Sequence, residues 1–473
     1  MYAQRTWFLI LLVILLLSGC AAHRYQPAPI VPEEGASRLQ ARSLSDPGLR
    51  AFLESNLAHQ LSQWPPQTWD LRTLSLAALY FNPTLDTVRA RVEEAQAAIV
   101  TAGARPNPSI ALAPGVPSPY LLTLEFAVPV ETGGKRGHRI QLARNLDQAA
   151  RLDLADSAWK IRSGVRVALL NLLVSSRNLE LLRSEDEIRA EQVKMLEQRL
   201  SVGEIPRPEF DLARIEGSKT HLAISTAEGQ VAEAKAALAA SIGVPLAGLN
   251  GFDFSWSDLD APPSTESLSS NEIQRDAVLN RLDVRRSLAQ YAAAEADLQL
   301  EIARQYPDLQ IGPGYTYEER NSFFTIGFSA NLPVFNRNRG PIAEAEARRK
   351  EAAAAFLEKQ AQVIAESERA LALYIAGLKE FGEADQYLHR LQDVQQRAMQ
   401  KAVLVGEEDR LALSGVRIES SVVARSRLDA LSRAQSALGQ LEDSVQRPLI
   451  PGDAFPIRPE SPALNKPTKE PKR

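Results

Sequence analysis

One cysteine stands in the chain, and its surroundings give it a definite chemistry. Arg5 supplies a short basic region, Trp7 to Leu17 is an apolar run, and Leu17-Ser18-Gly19-Cys20 closes it. The run is too short for a permanent membrane helix and has the make-up of an export signal. Small residues directly before a cysteine form a bacterial lipobox. Cys20 is therefore expected to be acylated on its thiol and to become the mature N-terminus. Ala21 and Ala22 follow it where an Asp would favour retention at the inner membrane, so the expected location is the bacterial outer membrane, with Cys20 in its lipid. With no second cysteine, no intramolecular disulfide is available.

Little else has the spacing of a reactive centre. His23, His59, His138, His221 and His389 are scattered without metal-ligand spacing, and no HExxH, GxSxG, P-loop or CxxC pattern occurs. The chain is expected to be no enzyme, with no catalytic residues, resident metal or cofactor. A formal charge of −4 argues against a nucleic-acid partner. The remaining candidates are acids following two glycines: Glu204, Glu209 and Asp211 after Gly203, and Glu407, Glu408 and Asp409 after Gly406. Acids in a first helical turn are favoured by the helix dipole alone.

The elements that must position these residues are long helices. Ala, Leu, Glu, Arg and Gln dominate, and aromatics make up only 6%. Asp70 opens a helical pattern that Pro83 interrupts and that stops before Pro106 and Pro108. Helices are expected over Ile140–Val202 and Glu209–Ile242, then over Asn271–Gln305, Ile342–Val405 and Asp409–Val445. Ile364, Leu371, Leu378, Phe381 and Leu388 mark a heptad frame, as in a coiled coil. Between the helices lie two strand-turn-strand stretches, Pro108–Val130 and Pro307–Val334. Their apolar residues alternate with small or polar ones, and each strand is roughly the 9–11 residues that a tilted strand needs to cross a bilayer. Two hairpins leave two open edges, which hydrocarbon does not tolerate, so the strands either sit in a soluble sheet or are completed by other subunits.

The order helix, hairpin, helix pair occurs twice. Arg105, Pro108 and Pro114-Gly115 match Arg304, Pro307 and Pro313-Gly314 at one constant offset, and Ser201-Val202-Gly203-Glu204 matches Leu404-Val405-Gly406-Glu407. The chain accordingly divides into an export signal (1–19), a lipidated tether (20–69) with one amphipathic stretch near Pro47–Gln63, a first repeat (70–242), a connector (243–270), a second repeat (271–445) and a tail (446–473). The tail is expected to be disordered from Pro448 onward.

Duplicated helix–strand–strand–helix units behind a lipobox resemble the TolC family of outer-membrane efflux channels. The likeness covers about residues 70–445. It rests on Phe81-Asn82-Pro83-Thr84-Leu85, Arg105-Pro106-Asn107-Pro108, Pro129-Val130-Glu131-Thr132-Gly133-Gly134-Lys135-Arg136, Pro333-Val334-Phe335-Asn336-Arg337-Asn338-Arg339-Gly340 and the two Val-Gly-Glu turns, taken in order. The junction segments look most like the cobalt-zinc-cadmium branch.

The resemblance implies a fold that is mainly α with membrane β. A homotrimer would share a twelve-stranded β-barrel, four strands per protomer, continued by a periplasmic α-helical coiled-coil barrel. It implies a passive duct, with an inner-membrane RND-type pump and a periplasmic adaptor protein as partners and heavy-metal cations as cargo. Val202-Gly203 and Val405-Gly406 resemble the tips that meet the adaptor. In a threefold assembly Glu209, Glu407 and Asp409 would form carboxylate rings at a gate. The second repeat departs from that pattern, with Ala412 and Ser414 opposite Glu209 and Asp211. Lys135, Arg136, Arg337 and Arg339 would anchor the membrane interface. The alternatives are a duct for drugs or organic compounds, and a coiled-coil envelope lipoprotein without a pore.

Overall fold

The computed structural model describes residues 25–115, 121–265 and 268–450; Cys20, the export signal and residues 451–473 of the tail lie outside the described residues. The described residues before Arg42, 25–41, belong to a unit of their own, with helix α1 (Pro32–Gln40) exposed throughout. In the second unit, α2 (Pro47–Leu57) is capped by Asp46 and buries Leu49, Phe52 and Leu53. The stretch expected as part of a tether is thus part of the core from Leu44 onward, because its apolar residues complete a cluster with Trp69, Leu74 and Leu79.

The first repeat begins at a capping box. Asp70 accepts from the Thr73 amide at 2.8 Å while Thr73 Oγ1 accepts from the Asp70 amide at 3.1 Å, which fixes the start of α3 (Leu71–Phe81). Pro83 then ends it and opens α4 (Pro83–Gly103). Strands β2 (Ser109–Gly115) and β3 (Leu121–Val130) follow, then α5 (Lys135–Ser201) and α6 (Arg207–Ile242). A two-stranded parallel sheet joins β1 (Thr68–Trp69) to β4 (Asp253–Phe254), threading the connector into the core beside the buried Trp256. The second repeat comprises α7 (Ser270–Asn280), α8 (Leu282–Ala303), β5 (Leu309–Glu318), β6 (Asn321–Ala330), α9 (Arg339–Glu383), α10 (Arg390–Leu404) and α11 (Arg410–Val445).

At 67 residues, α5 alone runs ~100 Å. Near the strands the helices pack in the order α4–α5–α8–α9; toward the Gly203 and Gly406 turns the order is α6–α5–α11–α10. Between these halves the chain ends meet head to tail: α6 stops where α4 starts, and α11 stops where α8 starts. Most of the apolar core lies in this belt.

Three expectations for the helices need correction. The helix expected over Asn271–Gln305 breaks at Arg281, whose backbone is extended (φ −60°, ψ 134°). No proline marks the break. It is held by tertiary contacts and falls at the same repeat offset as Asn82. In both repeats the breaking side chain donates to the carbonyl of a serine one residue before the end of the facing helix, Asn82 Nδ2 to Ser241 at 3.2 Å and Arg281 Nη1 to Ser444 at 3.4 Å. The helix expected over Ile342–Val405 contains a π-helical turn at Ala384–His389, while its counterpart α5 is uninterrupted. The heptad frame is also displaced by one residue. The buried seam of α9 is Val363, Ser367, Ala370, Tyr374 and Gly377, with Leu371 beside it; Leu388 is exposed. Small residues hold the seam because α9 and α11 approach closely: a Cβ on Gly377 would lie 3.1 Å from Ala434 Cα.

Candidate functional site

The four long strands form one antiparallel sheet in the order β2-β3-β5-β6, so the two hairpins meet at β3 and β5 while β2 and β6 are open edges. The register decides what each face can do. Ile110 pairs with Phe126 and Leu112 with Leu124; Leu122 pairs with Tyr317, Leu124 with Tyr315, and Val128 with Ile311; Tyr315 pairs with Phe324 and Ile311 with Phe328. Cross-strand partners share a face. One face is therefore apolar across all four strands, and it is uncovered: Ile110 is 68% exposed, Ile326 74% and Phe324 84%. The other face is mostly small or polar, with Ser109, Ala111, Thr123, Glu125, Gln310, Gly312, Gly314, Thr316, Thr325 and Ser329; Leu121 and Phe323, near the hairpin turns, are its large apolar members. An apolar face of this extent is unstable against water and well suited to hydrocarbon.

A clasp holds the hairpins together below the sheet. Lys135 is buried, and its Nζ donates to the Tyr306 carbonyl at 2.6 Å and to Asp308 Oδ1 at 2.7 Å. Thr132 donates its amide to the same Asp308 oxygen at 3.0 Å and its hydroxyl to the Pro307 carbonyl at 2.7 Å. Glu131 pairs with Arg139, which also reaches the end of α4. Gly133 (φ +63°) leaves room for this, since a Cβ there would lie 3.0 Å from the Ala303 carbonyl. Gly134 and Asn338, equivalent in the repeats, both start their long helix from a left-handed conformation, at φ +72° and +59°. Lys135 is thus turned inward as a strap between repeats rather than outward as an interface anchor. Arg136 donates to the Gly103 carbonyl at 2.7 Å; Arg337 and Arg339 are exposed and have no ion-pair partner among the described residues.

At the opposite ends of the helices, the two turns are copies of one another. Gly203 and Gly406 both have φ +77°. Gly203 N donates to the Leu200 carbonyl and Glu204 N to that of Arg199; Gly406 N and Glu407 N repeat this with Val403 and Ala402. Val202 and Val405 project outward, 70% and 61% exposed. Glu209 and Glu407 are exposed without an ion partner among the described residues. Asp409 differs: its Oδ1 caps α11 by accepting from the Leu411 amide at 3.0 Å, and its other oxygen pairs with Arg199 of the first repeat. Its charge is balanced, so it is a tie between the tips rather than a free gate acid. Ser414 is buried and bonds the Leu411 carbonyl.

Ionic groups cluster in the belt. Arg281, buried, is bound by Asp283 and Glu366 at 2.7 Å each. Burial pushes the Asp283 carboxyl up, but the hydrogen bond and charge of Arg281 outweigh it and hold the group below its usual range. Asp443 is shifted the other way: burial raises it, against hydrogen bonds from Ser163 at 2.6 Å and Trp159 at 2.9 Å. Among the described residues no cluster of three or more His, Cys, Asp or Glu side chains is placed to hold a metal ion. Arg281, Arg199 and the clasp partner Asp308 were not visible as site residues in the sequence. Apart from Asp283, two residues from Arg281, their ion-pair partners lie 85 to 210 positions away, and no local pattern marks such pairs.

Residues 74–244 match the family model described as outer membrane efflux protein. The chain is 28% identical over 276 residues to the cobalt-zinc-cadmium resistance protein CzcC of Cupriavidus metallidurans, covering 58% of this chain and 64% of that protein, just under two thirds of its length. It is 23% identical to the probable outer membrane lipoprotein SilC of Salmonella typhimurium, over 81% of this chain and 86% of the other. The solved structure of the outer membrane protein VceC from Vibrio cholerae superposes with a TM-score of 0.63 at 20% identity, over 79% of this chain and 95% of the other.

Proposed function

We propose, from the match of residues 74–244 to the outer membrane efflux protein model, that this chain is the outer-membrane exit duct of a tripartite efflux system. The observation that carries this reading is the four-stranded sheet with one continuous apolar face and two unpaired edges. A face of that kind needs lipid, and edges of that kind need neighbours. Three copies closing edge to edge would supply twelve strands around a lumen lined by the small and polar face, with the helices continuing the wall below. The duct is passive. An inner-membrane RND-type pump drives cargo and a periplasmic adaptor docks at Val202-Gly203 and Val405-Gly406, while Glu209 and Glu407 line the closing end. Acylated Cys20 adds a lipid anchor, and Arg136, Arg337 and Arg339 lie at the membrane boundary. The cargo is heavy-metal cations; the likeness to CzcC and the junction segments support this choice over organic compounds.

The test is the mass and conductance of protein extracted from outer membranes in mild detergent. The expected result is a particle of three copies that opens ion-conducting steps in a planar bilayer. A monomer or dimer without conductance would overturn the shared barrel. For the cargo, deletion of the gene is expected to lower tolerance to cobalt, zinc or cadmium, with organic toxicants unaffected; the reverse outcome would assign an organic cargo.

A further inference from the structure

Within the ranges of β2, β3, β5 and β6 only two side chains carry a charge at neutral pH, Glu125 and Glu318, and both are acids on the polar face. Glu318 ends β5 at the hairpin turn. Glu125 is different: it lies in the middle of β3, a strand with neighbours on both sides. Its cross-strand partners are Ala111 and Gly314, which offer neither a donor nor bulk. It is exposed and has no hydrogen bond or ion pair among the described residues. A carboxylate in mid-sheet on a face turned to lipid or packed protein would cost several kcal/mol without a partner. It is tolerable where that face meets water.

We propose that Glu125 sets the charge preference of the strand segment of the duct, favouring cations over anions in the lumen. The inference rests on the duct reading above. No cation stands within the four strands to offset it, and in a closed ring each copy contributes one such carboxylate at the same level. Charge on a low-dielectric wall raises the local concentration of counter-ions, and the effect fades as salt screens it. Glu125 is thus a determinant of which ions enter, separate from the acids at the helical tips.

The test uses the full-length assembled protein in planar bilayers, with reversal potentials read under a salt gradient at low ionic strength (~0.01 M) and near ~1 M. Wild type is expected to prefer cations at low salt. Glu125→Gln should lower the cation-to-anion permeability ratio about twofold or more there, with little change near ~1 M. Because Cys20 is the only native cysteine, Glu125→Cys gives a second readout. An anionic thiol reagent should restore the preference and a cationic one should lower it further. An unchanged ratio in Glu125→Gln, or a cysteine variant indifferent to the sign of the reagent while current flows, would overturn the role of Glu125. Absence of conductance in wild type would overturn the duct reading itself and this inference with it.

Discussion

The buried ion pair at the second helix joint makes the clearest demand at the level of single residues. Arg281 and Asp283 are each under a tenth exposed, and removing Arg281 strands the Asp283 carboxylate. Arg281→Met is expected to destabilise the chain by ~3 kcal/mol. The double variant with Asp283→Asn should recover most of that loss, as read by thermal melting. The pair also predicts an acid limit. Asp283 is held below its ordinary value of 3.8, so its contribution is fully present above that value and is lost as pH falls below it. The Asp283→Asn variant should lack this part of the acid slope. Asp443, raised by burial, acts with the opposite sign and begins to gain protons at higher pH, so the comparison must be with the variant and not with a flat baseline. None of this was readable in sequence. Pro83 announced the first joint because proline cannot continue a helix. The second joint rests on Arg281 reaching Glu366 and Ser444, contacts that exist only after the repeats have packed.

The hairpins were the most legible elements, because alternation has a period of two and needs no tertiary knowledge. The coiled-coil seam was less so. Hydrophobicity singled out Ile364, Leu371 and Leu378, whereas the close approach of α9 and α11 selects Val363, Ala370 and Gly377, each one position earlier. The sheet makes its own prediction through adjacent residues of β6. Thr325 pairs with Gly314 on the polar face, and Ile326 pairs with Pro313 on the apolar face. An arginine costs ~2–4 kcal/mol where it must face the middle of a bilayer and little where it faces water. Ile326→Arg should therefore abolish insertion and leave protein in the periplasm. Thr325→Arg should assemble normally. Membrane fractionation and the mass of the extracted particle distinguish them. Equal tolerance of both would mean that neither face meets lipid.

Every layer of the packed unit is open on two sides, and the sides are consistent. One side carries β2, α4 and α6, all from the first repeat; the other carries β6, α9 and α10, all from the second. An interface that joins first-repeat edges to second-repeat edges is head-to-tail, and such an interface closes into a ring when the rotation per copy allows it. The edge helices carry the apolar residues such a contact needs: Leu212, Ile215 and Leu222 on α6, and Leu391 and Val394 on α10, each more than half exposed. Their levels agree as well. Ile215 lies twelve residues after Gly203, and Val394 lies twelve residues before Gly406. Since the helices rise equally per residue, the two positions stand at one height above twin turns. A chain bearing both Ile215→Cys and Val394→Cys is expected to form disulfides between copies on mild oxidation, giving a ladder on a denaturing gel that stops at three chains. Either substitution alone should give single chains, because in a head-to-tail ring like never meets like. Dimers from Ile215→Cys alone would instead mean a two-fold contact between identical edges. That geometry leaves β2 and β6 without partners in hydrocarbon, and the closed barrel would have to be abandoned with it.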